Sequence, residues 1–172
     1  IKLVEFFKRS GQLKKVSRSG WARVGISSPE SVADHTFRTA LLCMIFSNLE
    51  GLDELKMLQM ALIHDLPEVI VGDLTPSEKA KADKNSEEDA MKSLLAFLPK
   101  EVRGKYIEVW HEYATCETDE AKAVRQLEKL EMALQAREYE EDGVVKESLE
   151  GFIKSADESI LSFSIRALFS YI

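Results

Sequence analysis

One stretch of this chain concentrates groups that can do chemistry. His64-Asp65-Leu66-Pro67-Glu68 is followed at once by Val71-Gly72-Asp73-Leu74-Thr75-Pro76. It comes after Leu55, Leu58, Ala61 and Leu62, whose spacing predicts the buried face of a helix. Burying an imidazole and several carboxylates unpaired costs several kcal/mol or more, so such a cluster needs a cation, a hydrogen-bond network or water. A divalent metal ion is one answer. A second imidazole, His35, is predicted on the preceding helix. One carboxylate from the helix predicted over 119–141 would complete the set, and there Glu128 and Glu131 both lie on or beside the buried side. Two imidazoles and two carboxylates suit Mn²⁺, Fe²⁺, Co²⁺, Ni²⁺ or Zn²⁺ better than Ca²⁺ or a thiophilic ion. Open positions on such an ion lower the pKa of water and polarise a phosphoryl oxygen. Glu68, one turn further on, is placed to orient or deprotonate that water.

A second feature precedes the cluster. From residue 6 to residue 29 no acidic residue occurs, while Lys8, Arg9, Lys14, Lys15, Arg18 and Arg23 do. A solvated basic face is the ordinary reading of such a run. Trp21, set between Arg18 and Arg23 and flanked by Gly20 and Gly25, adds an aromatic to it. A guanidinium beside an aromatic suits a phosphate attached to a flat base or sugar.

The elements that must position these groups read as helices throughout. Residues 1–9 predict a short amphipathic helix ending near Gly11. Ser27-Ser28-Pro29-Glu30-Ser31 predicts a helix start, and that helix runs to about Leu49 with Val32, Phe37, Ala40, Leu41, Met44 and Ile45 facing the core. Asp53 caps the next helix, which is expected to end at His64-Asp65 because Pro67 disfavours helical geometry at Leu66. Thr75-Pro76-Ser77-Glu78 has the form of a capping box with proline at the first helical position. Met91, Leu94, Leu95 and Leu98 form a helical stripe, and Val102, Tyr106, Val109, Trp110 and Tyr113 suggest another. Val124, Leu127, Leu130 and Leu134 define the buried side of the 119–141 helix. A last helical region carries Leu149, Phe152, Ile153, Leu161, Ile165, Leu168 and Ile172. With no strand pattern, the fold class is all-α: one domain over 1–172, with a motif-bearing core of about 13–140 and a C-terminal helical region of about 145–172.

Composition narrows the partners. A formal charge of −7 over 172 residues argues against a nucleic-acid duplex or an anionic membrane, both of which want excess Lys and Arg. The two cysteines, Cys43 and Cys116, form no C-x-x-C pair, which fits a reducing compartment. No apolar run is long enough for a membrane span and no signal-peptide pattern is present, so the expected location is the cytoplasm. His111 has no motif around it and is expected to be structural or superficial.

Taken together, Gly20-Trp21, Pro29-Glu30-Ser31-Val32-Ala33-Asp34-His35, His64-Asp65-Leu66-Pro67-Glu68 with Val71-Gly72-Asp73, and Glu131-Met132-Ala133-Leu134-Gln135-Ala136 resemble the HD-domain metal-dependent phosphohydrolases, in particular the YfbR-like 5′-deoxynucleotidase family. The resemblance runs from Leu13 to about Glu140. It implies an HD-type helical bundle that hydrolyses a (deoxy)nucleoside 5′-monophosphate to nucleoside and phosphate, and that is often a homodimer. His35, His64 and Asp65 match the family's first three metal ligands, and Glu68 matches the residue proposed to activate water. Asp73, with Leu74-Thr75-Pro76, matches a stretch that contacts the nucleotide and, in some relatives, a second divalent ion such as Mg²⁺ near Glu68 and Asp73. Trp21 matches an aromatic at the nucleotide pocket.

Two positions depart from the family pattern. Its fourth ligand is usually aspartate, where this chain has Glu128, one methylene longer. Its bacterial members place arginine directly before the tryptophan, where this chain has Gly20; the phosphate-orienting role then falls to Arg18 or Arg23. Two other readings stand beside the phosphomonoesterase. One is a module that holds metal and nucleotide without turnover, which Glu128 favours. The other is a phosphohydrolase of a cyclic nucleotide or guanosine polyphosphate, which the Leu-Pro-Glu continuation after His64-Asp65 disfavours.

Overall fold

Local capping chemistry sets the start of the main helices. In the computed structural model, which describes residues 1–83 and 85–172, the helices are α1 (Lys2–Ser10), α2 (Ser19–Arg23), α3 (Val32–Glu50), α4 (Glu54–Ile63), α5 (Glu68–Val71), α6 (Pro76–Lys79), α7 (Ser86–Leu95), α8 (Lys100–Thr115), α9 (Asp119–Glu141), α10 (Lys146–Ser159) and α11 (Phe163–Phe169), with a 3-10 turn at Gly11–Lys15. Among the described residues the only extended pairing is an isolated bridge between Ser17 and Ser31, so the all-α expectation is met.

The Ser27–Ser31 stretch does start a helix, but later than its serines and proline suggest. Ser31 is the cap: its hydroxyl lies 2.7 Å from Asp34 Oδ2, and that same oxygen accepts the Ser31 N–H at 2.9 Å. Asp53 caps α4 by accepting the Lys56 N–H at 2.9 Å. Thr75 and Glu78 form the expected capping box, with the Thr75 N–H donating to Glu78 at 2.9 Å. Thr118 caps α9 through the Ala121 N–H.

The chain divides into two compact units. The first comprises 1–36 and 62–111. Its core gathers Leu13, Val32, Leu66, Met91, Leu94, Leu95, Leu98 and Trp110, with Phe6, Val16, Ala33, Ile63, Val69, Tyr106 and Ile107 packed against them. The α7 stripe is thus buried as its periodicity predicts. The second unit comprises 37–61 and 112–172. Here α10 and α11 pack on α9, whose Ala121, Val124, Leu127, Leu130, Ala133 and Ala136 are buried. Glu131, fully buried on α9, is held by Arg38 Nε at 3.0 Å, and the same guanidinium reaches Gln135 and Glu138.

Three faces differ from expectation. On α3, Phe37, Leu41, Met44 and Ile45 are exposed, while Thr36, Thr39, Cys43, Phe46 and Ser47 are buried. On α4, Leu55 and Leu62 are exposed, while Met57, Met60 and Ala61 are buried. Near the C-terminus, Leu161 and Leu168 are exposed, while Leu149 and Ile165 are buried as expected. Both α3 and α4 carry apolar residues on more than one side, so periodicity alone does not say which side faces inward. Among the described residues, no helix is long and apolar enough to cross a membrane.

Candidate metal centre and active site

The site assembles in the first unit from three short pieces of chain. His35 sits in the first turn of α3 and is 2 % exposed. His64 and Asp65 follow α4 directly, in a turn rather than on the helix as expected. Successive helical side chains diverge by about 100°, and leaving the helix at Ile63 removes that divergence. The turn is fixed from both sides: Leu66 N–H donates to Ile63 O, and the Trp110 indole donates to His64 O at 3.2 Å.

The result is a convergent donor set. Asp65 Oδ2 lies 3.0 Å from His64 Nε2 and 3.9 Å from His35 Nε2. The two rings meet edge to face, with centroids 5.6 Å apart. One ligand atom from each of the three residues falls within 4.8 Å of the other two. Metal–ligand bonds of about 2.1 Å put neighbouring donors about 3.0 Å apart in an octahedron and about 3.4 Å apart in a tetrahedron. The His64–Asp65 pair has the octahedral spacing and the His35–Asp65 pair is wider than the tetrahedral one by about half an ångström, and with their nitrogen and oxygen donors the residues fit a divalent ion.

Glu68, at the start of α5, is buried, and its Oε2 accepts no hydrogen bond among the described residues. A buried oxygen in that condition is costly unless it has work to do with water or an ion. Burial, then the charges of Asp65 and Asp73, push the Glu68 carboxyl up to about 10, against the pull of Arg18 and Lys79. Burial also raises Asp65, but His64, Arg18 and His35 outweigh it and hold that carboxyl well below its usual range. Two carboxylates three residues apart are thus driven in opposite directions, a pattern common at functional sites.

Arg18 reaches this cluster. Its Nη1 lies 3.7 Å from Asp65 and 3.4 Å from Asp73. Arg23 does not: it pairs with Glu78 at an exposed position. Of the two arginines the sequence offers, Arg18 is the one that stands beside Asp65 and Asp73. Asp73 is engaged by the Ser19 N–H at 2.6 Å, by the Ser19 hydroxyl and by Arg18. Leu74 is half-buried and Pro76 exposed beyond it, while the Thr75 hydroxyl and N–H are committed to Glu78. Trp21 is 2 % exposed, and its indole donates to Glu30 Oε1 at 2.9 Å.

Glu128 belongs to the second unit, where it accepts a hydrogen bond from the Tyr113 hydroxyl; its assignment as a ligand rests on the resemblance. His111 is superficial, as expected, and faces Glu88 at 3.5 Å. Sequence reasoning passed over two contributors, Ser19 and Lys79. Lys79 acts on both Glu68 and Asp65 while paired with Glu87 at 2.9 Å. Neither residue carries a local signal, because each matters only through partners distant in the chain.

Comparison with known proteins agrees with these motifs. 5'-deoxynucleotidase HDDC2 of Mus musculus is 42 % identical over 141 residues, covering 81 % of this chain and 70 % of the relative. The protein of that name from Dictyostelium discoideum is 41 % identical over 146 residues, covering 80 % and 77 %. Among solved structures, a conserved hypothetical protein from Pyrococcus furiosus superposes with a TM-score of 0.81 at 30 % identity, covering 98 % of this chain and 97 % of that one. The HD-domain family profile matches residues 10–164, so the chain belongs to the HD-domain family.

Proposed function

We propose that this protein is a metal-dependent phosphomonoesterase that releases phosphate from (deoxy)nucleoside 5′-monophosphates. The observation that carries the reading is the convergence of one donor atom each from His35, His64 and Asp65 to within 4.8 Å of one another, beside the buried carboxylate of Glu68 and the half-buried Arg18. The names borne by the similar proteins from Mus musculus and Dictyostelium discoideum supply the substrate class.

Each residue then has a task. His35, His64 and Asp65 would hold the ion, and Glu128 is the fourth donor by resemblance. The ion, when bound, supplies Lewis acidity toward a phosphoryl oxygen and toward water. Glu68 takes the proton of the attacking water. Its raised pKa reflects burial first and then the negative charge of Asp65 and Asp73, and a divalent cation held by Asp65 would offset that charge and favour the carboxylate. Arg18 meets the phosphate dianion with a fork of donors. By the resemblance, Asp73 and the Leu74-Thr75-Pro76 turn flank the nucleotide and Trp21 belongs to its pocket.

Mn²⁺, Co²⁺, Fe²⁺, Ni²⁺ and Zn²⁺ all suit this nitrogen and oxygen set. A second ion such as Mg²⁺ between Glu68 and Asp73 would have to compete with Arg18 and Ser19 for the Asp73 oxygens. A cytoplasmic homodimer completes the reading. It is supported by the reducing-type cysteine usage and by an exposed apolar stripe on α3, formed by Phe37, Leu41, Met44, Ile45 and Leu49.

The test is metal content of the purified protein coupled to phosphate release across a panel of ribo- and deoxynucleoside monophosphates with Mn²⁺ and Co²⁺. Metal-dependent release from this class supports the reading. Nucleotide binding without release would replace it with a non-catalytic module.

A further inference from the structure

We infer that Ser19 is a positioning residue: with Asp73 it forms a clasp that holds the Arg18 guanidinium against Asp65, where a phosphate brought to the ion would meet it. This inference rests on the phosphohydrolase reading above and adds to it a residue outside the motif positions.

The clasp begins with a defect in α2. That helix is only five residues long, and Arg18 at its N-cap provides no side-chain cap. The free N–H of Ser19 is met instead from 54 residues away, by Asp73 Oδ2 at 2.6 Å. The Ser19 hydroxyl closes the same junction, 2.7 Å from the Asp73 carbonyl and 3.0 Å from Oδ2. A hydroxyl has one proton, so it donates to one of these oxygens at a time. On the other side, the Arg18 N–H donates to Glu30 O at 3.0 Å, and the Trp21 indole donates to the Glu30 side chain. The peptide at 18–19 is therefore pinned on both flanks.

What the pinning leaves is a directed side chain. Arg18 is 20 % exposed, and its Nη1 stands 3.4 Å from Asp73 and 3.7 Å from Asp65. Both distances are long for a hydrogen bond to a carboxylate. The guanidinium is thus held by charge rather than locked, and an arriving anion can recruit it without breaking a short bond. An arginine loses much rotamer freedom when it binds an anion; fixing its backbone next to the target beforehand reduces that loss. Asp73 on this account serves the substrate through Arg18, and Ser19 is what keeps Asp73 turned toward it.

A merely structural loop closure predicts something different, and a double-mutant cycle separates the two. Inorganic phosphate binding to the metal-loaded protein is measured by calorimetry, beside KM and kcat on a deoxynucleoside monophosphate. Ser19→Ala is expected to weaken phosphate binding and raise KM by about five- to tenfold, with metal content unchanged. In an Arg18→Ala background the same change is expected to add less than about twofold, because residues acting through one another are not additive. Ser19→Thr, which keeps the hydroxyl, is expected to stay within about twofold of wild type. Full phosphate affinity in Ser19→Ala, or an equal loss in both backgrounds, overturns the inference. If Ser19→Ala does not fold, Ser19→Cys, which keeps the size but offers only a weak S–H donor, takes its place in the cycle with the same expectations. A wild type that turns nucleotide over while Ser19 proves uncoupled to Arg18 sinks the clasp alone. A wild type that binds phosphate and shows the coupling, yet releases none from any nucleotide, sinks the phosphatase reading and upholds the clasp.

Discussion

His64 Nε2 stands 3.0 Å from Oδ2 of Asp65, its immediate neighbour in the chain. Two consecutive side chains converge this way because α4 stops at Ile63 and both residues belong to the turn before Pro67. Together with His35 they form the donor set proposed to hold the ion. Removing one ligand from a small donor set leaves the ion under-coordinated, and loss of a supporting group alone costs about 10–100-fold in affinity. His64→Ala and Asp65→Ala are therefore expected to purify with little or no bound transition metal and to lose phosphate release. Elemental analysis and a phosphate assay check both; a variant that kept its metal and its activity would remove the centre.

The same turn makes Pro67 consequential although it touches no ion. Proline disfavours helical geometry at the residue before it. Pro67→Ala lifts that restriction at Leu66 and permits α4 to extend through His64 and Asp65, swinging their side chains apart. The expected outcome is a drop in metal affinity with all ligands present, of about tenfold, the low end of what supporting groups contribute. Competition with a coloured chelator measures it. Unchanged affinity would mean that Trp110 and the Leu66–Ile63 hydrogen bond hold the turn without help.

Glu68 gives a pH dependence that belongs to the metal-free protein. Its folded pKa is raised from an ordinary 4.5 to about 10 by burial and by Asp65 and Asp73. The folded state then holds a proton that the unfolded state releases. The stability tied to that proton is fully present below about 4.5 and is lost progressively as pH rises toward 10. Chelator-treated protein is thus expected to melt at falling temperature as pH is raised from about 6 to about 9. Glu68→Gln, which is neutral throughout, is expected to flatten the trend. Thermal melts of the two proteins over that range decide it, and parallel slopes would remove Glu68 as the cause.

How much of this could be read beforehand depended on how local each signal was. The Thr75-Glu78 capping box, the Asp53 cap and the Met91-Leu94-Leu95-Leu98 stripe are determined within a few residues, and the structure has them as the sequence implies. The inward face of α3 was not legible, because Phe37, Leu41 and Ile45 lie on one side while Cys43 and Phe46 lie on another. Which side is buried depends on what packs there, including Thr36, Thr39 and Ser47, whose polarity argues against burial. At the site, the residue types of His35, His64, Asp65 and Glu68 were enough to suggest a metal. That Arg18 rather than Arg23 stands beside these residues was not legible, because it depends on Asp73 and Glu78, each more than fifty residues away in the chain.

That division of the arginines predicts a sharp contrast. Arg18 sits against Asp65 and Asp73, whereas Arg23 is spent on exposed Glu78. A charge-assisted contact to phosphate is worth about 1.5–3 kcal/mol, and each 1.4 kcal/mol is about tenfold. Arg18→Ala is expected to lower kcat/KM by about ten- to a hundredfold, while Arg23→Ala, which loses only a surface ion pair, is expected to stay within about twofold. Steady-state kinetics on one deoxynucleoside monophosphate compares them directly. Equal losses would return the phosphate role to the loop as a whole.

The last prediction concerns the outer side of α3. Phe37, Leu41, Met44, Ile45 and Leu49 are each between 40 % and 66 % exposed and recur at helical spacing. The largest apolar patch on a typical monomer is about 300–600 Å² and is often functional. A stable dimer buries about 800 Å² per partner, with its least polar part at the centre. A second copy presenting the same face would cover the stripe by two-fold symmetry, since one self-complementary surface serves both partners. Leu41→Glu combined with Ile45→Glu is expected to convert a dimer to monomer at micromolar concentration. Because both side chains already meet water within their own chain, the double variant is expected to fold. Sedimentation velocity on wild type and variant tests the assignment: a wild type that is monomeric at tens of micromolar, or a variant that stays dimeric, would take the interface away from α3.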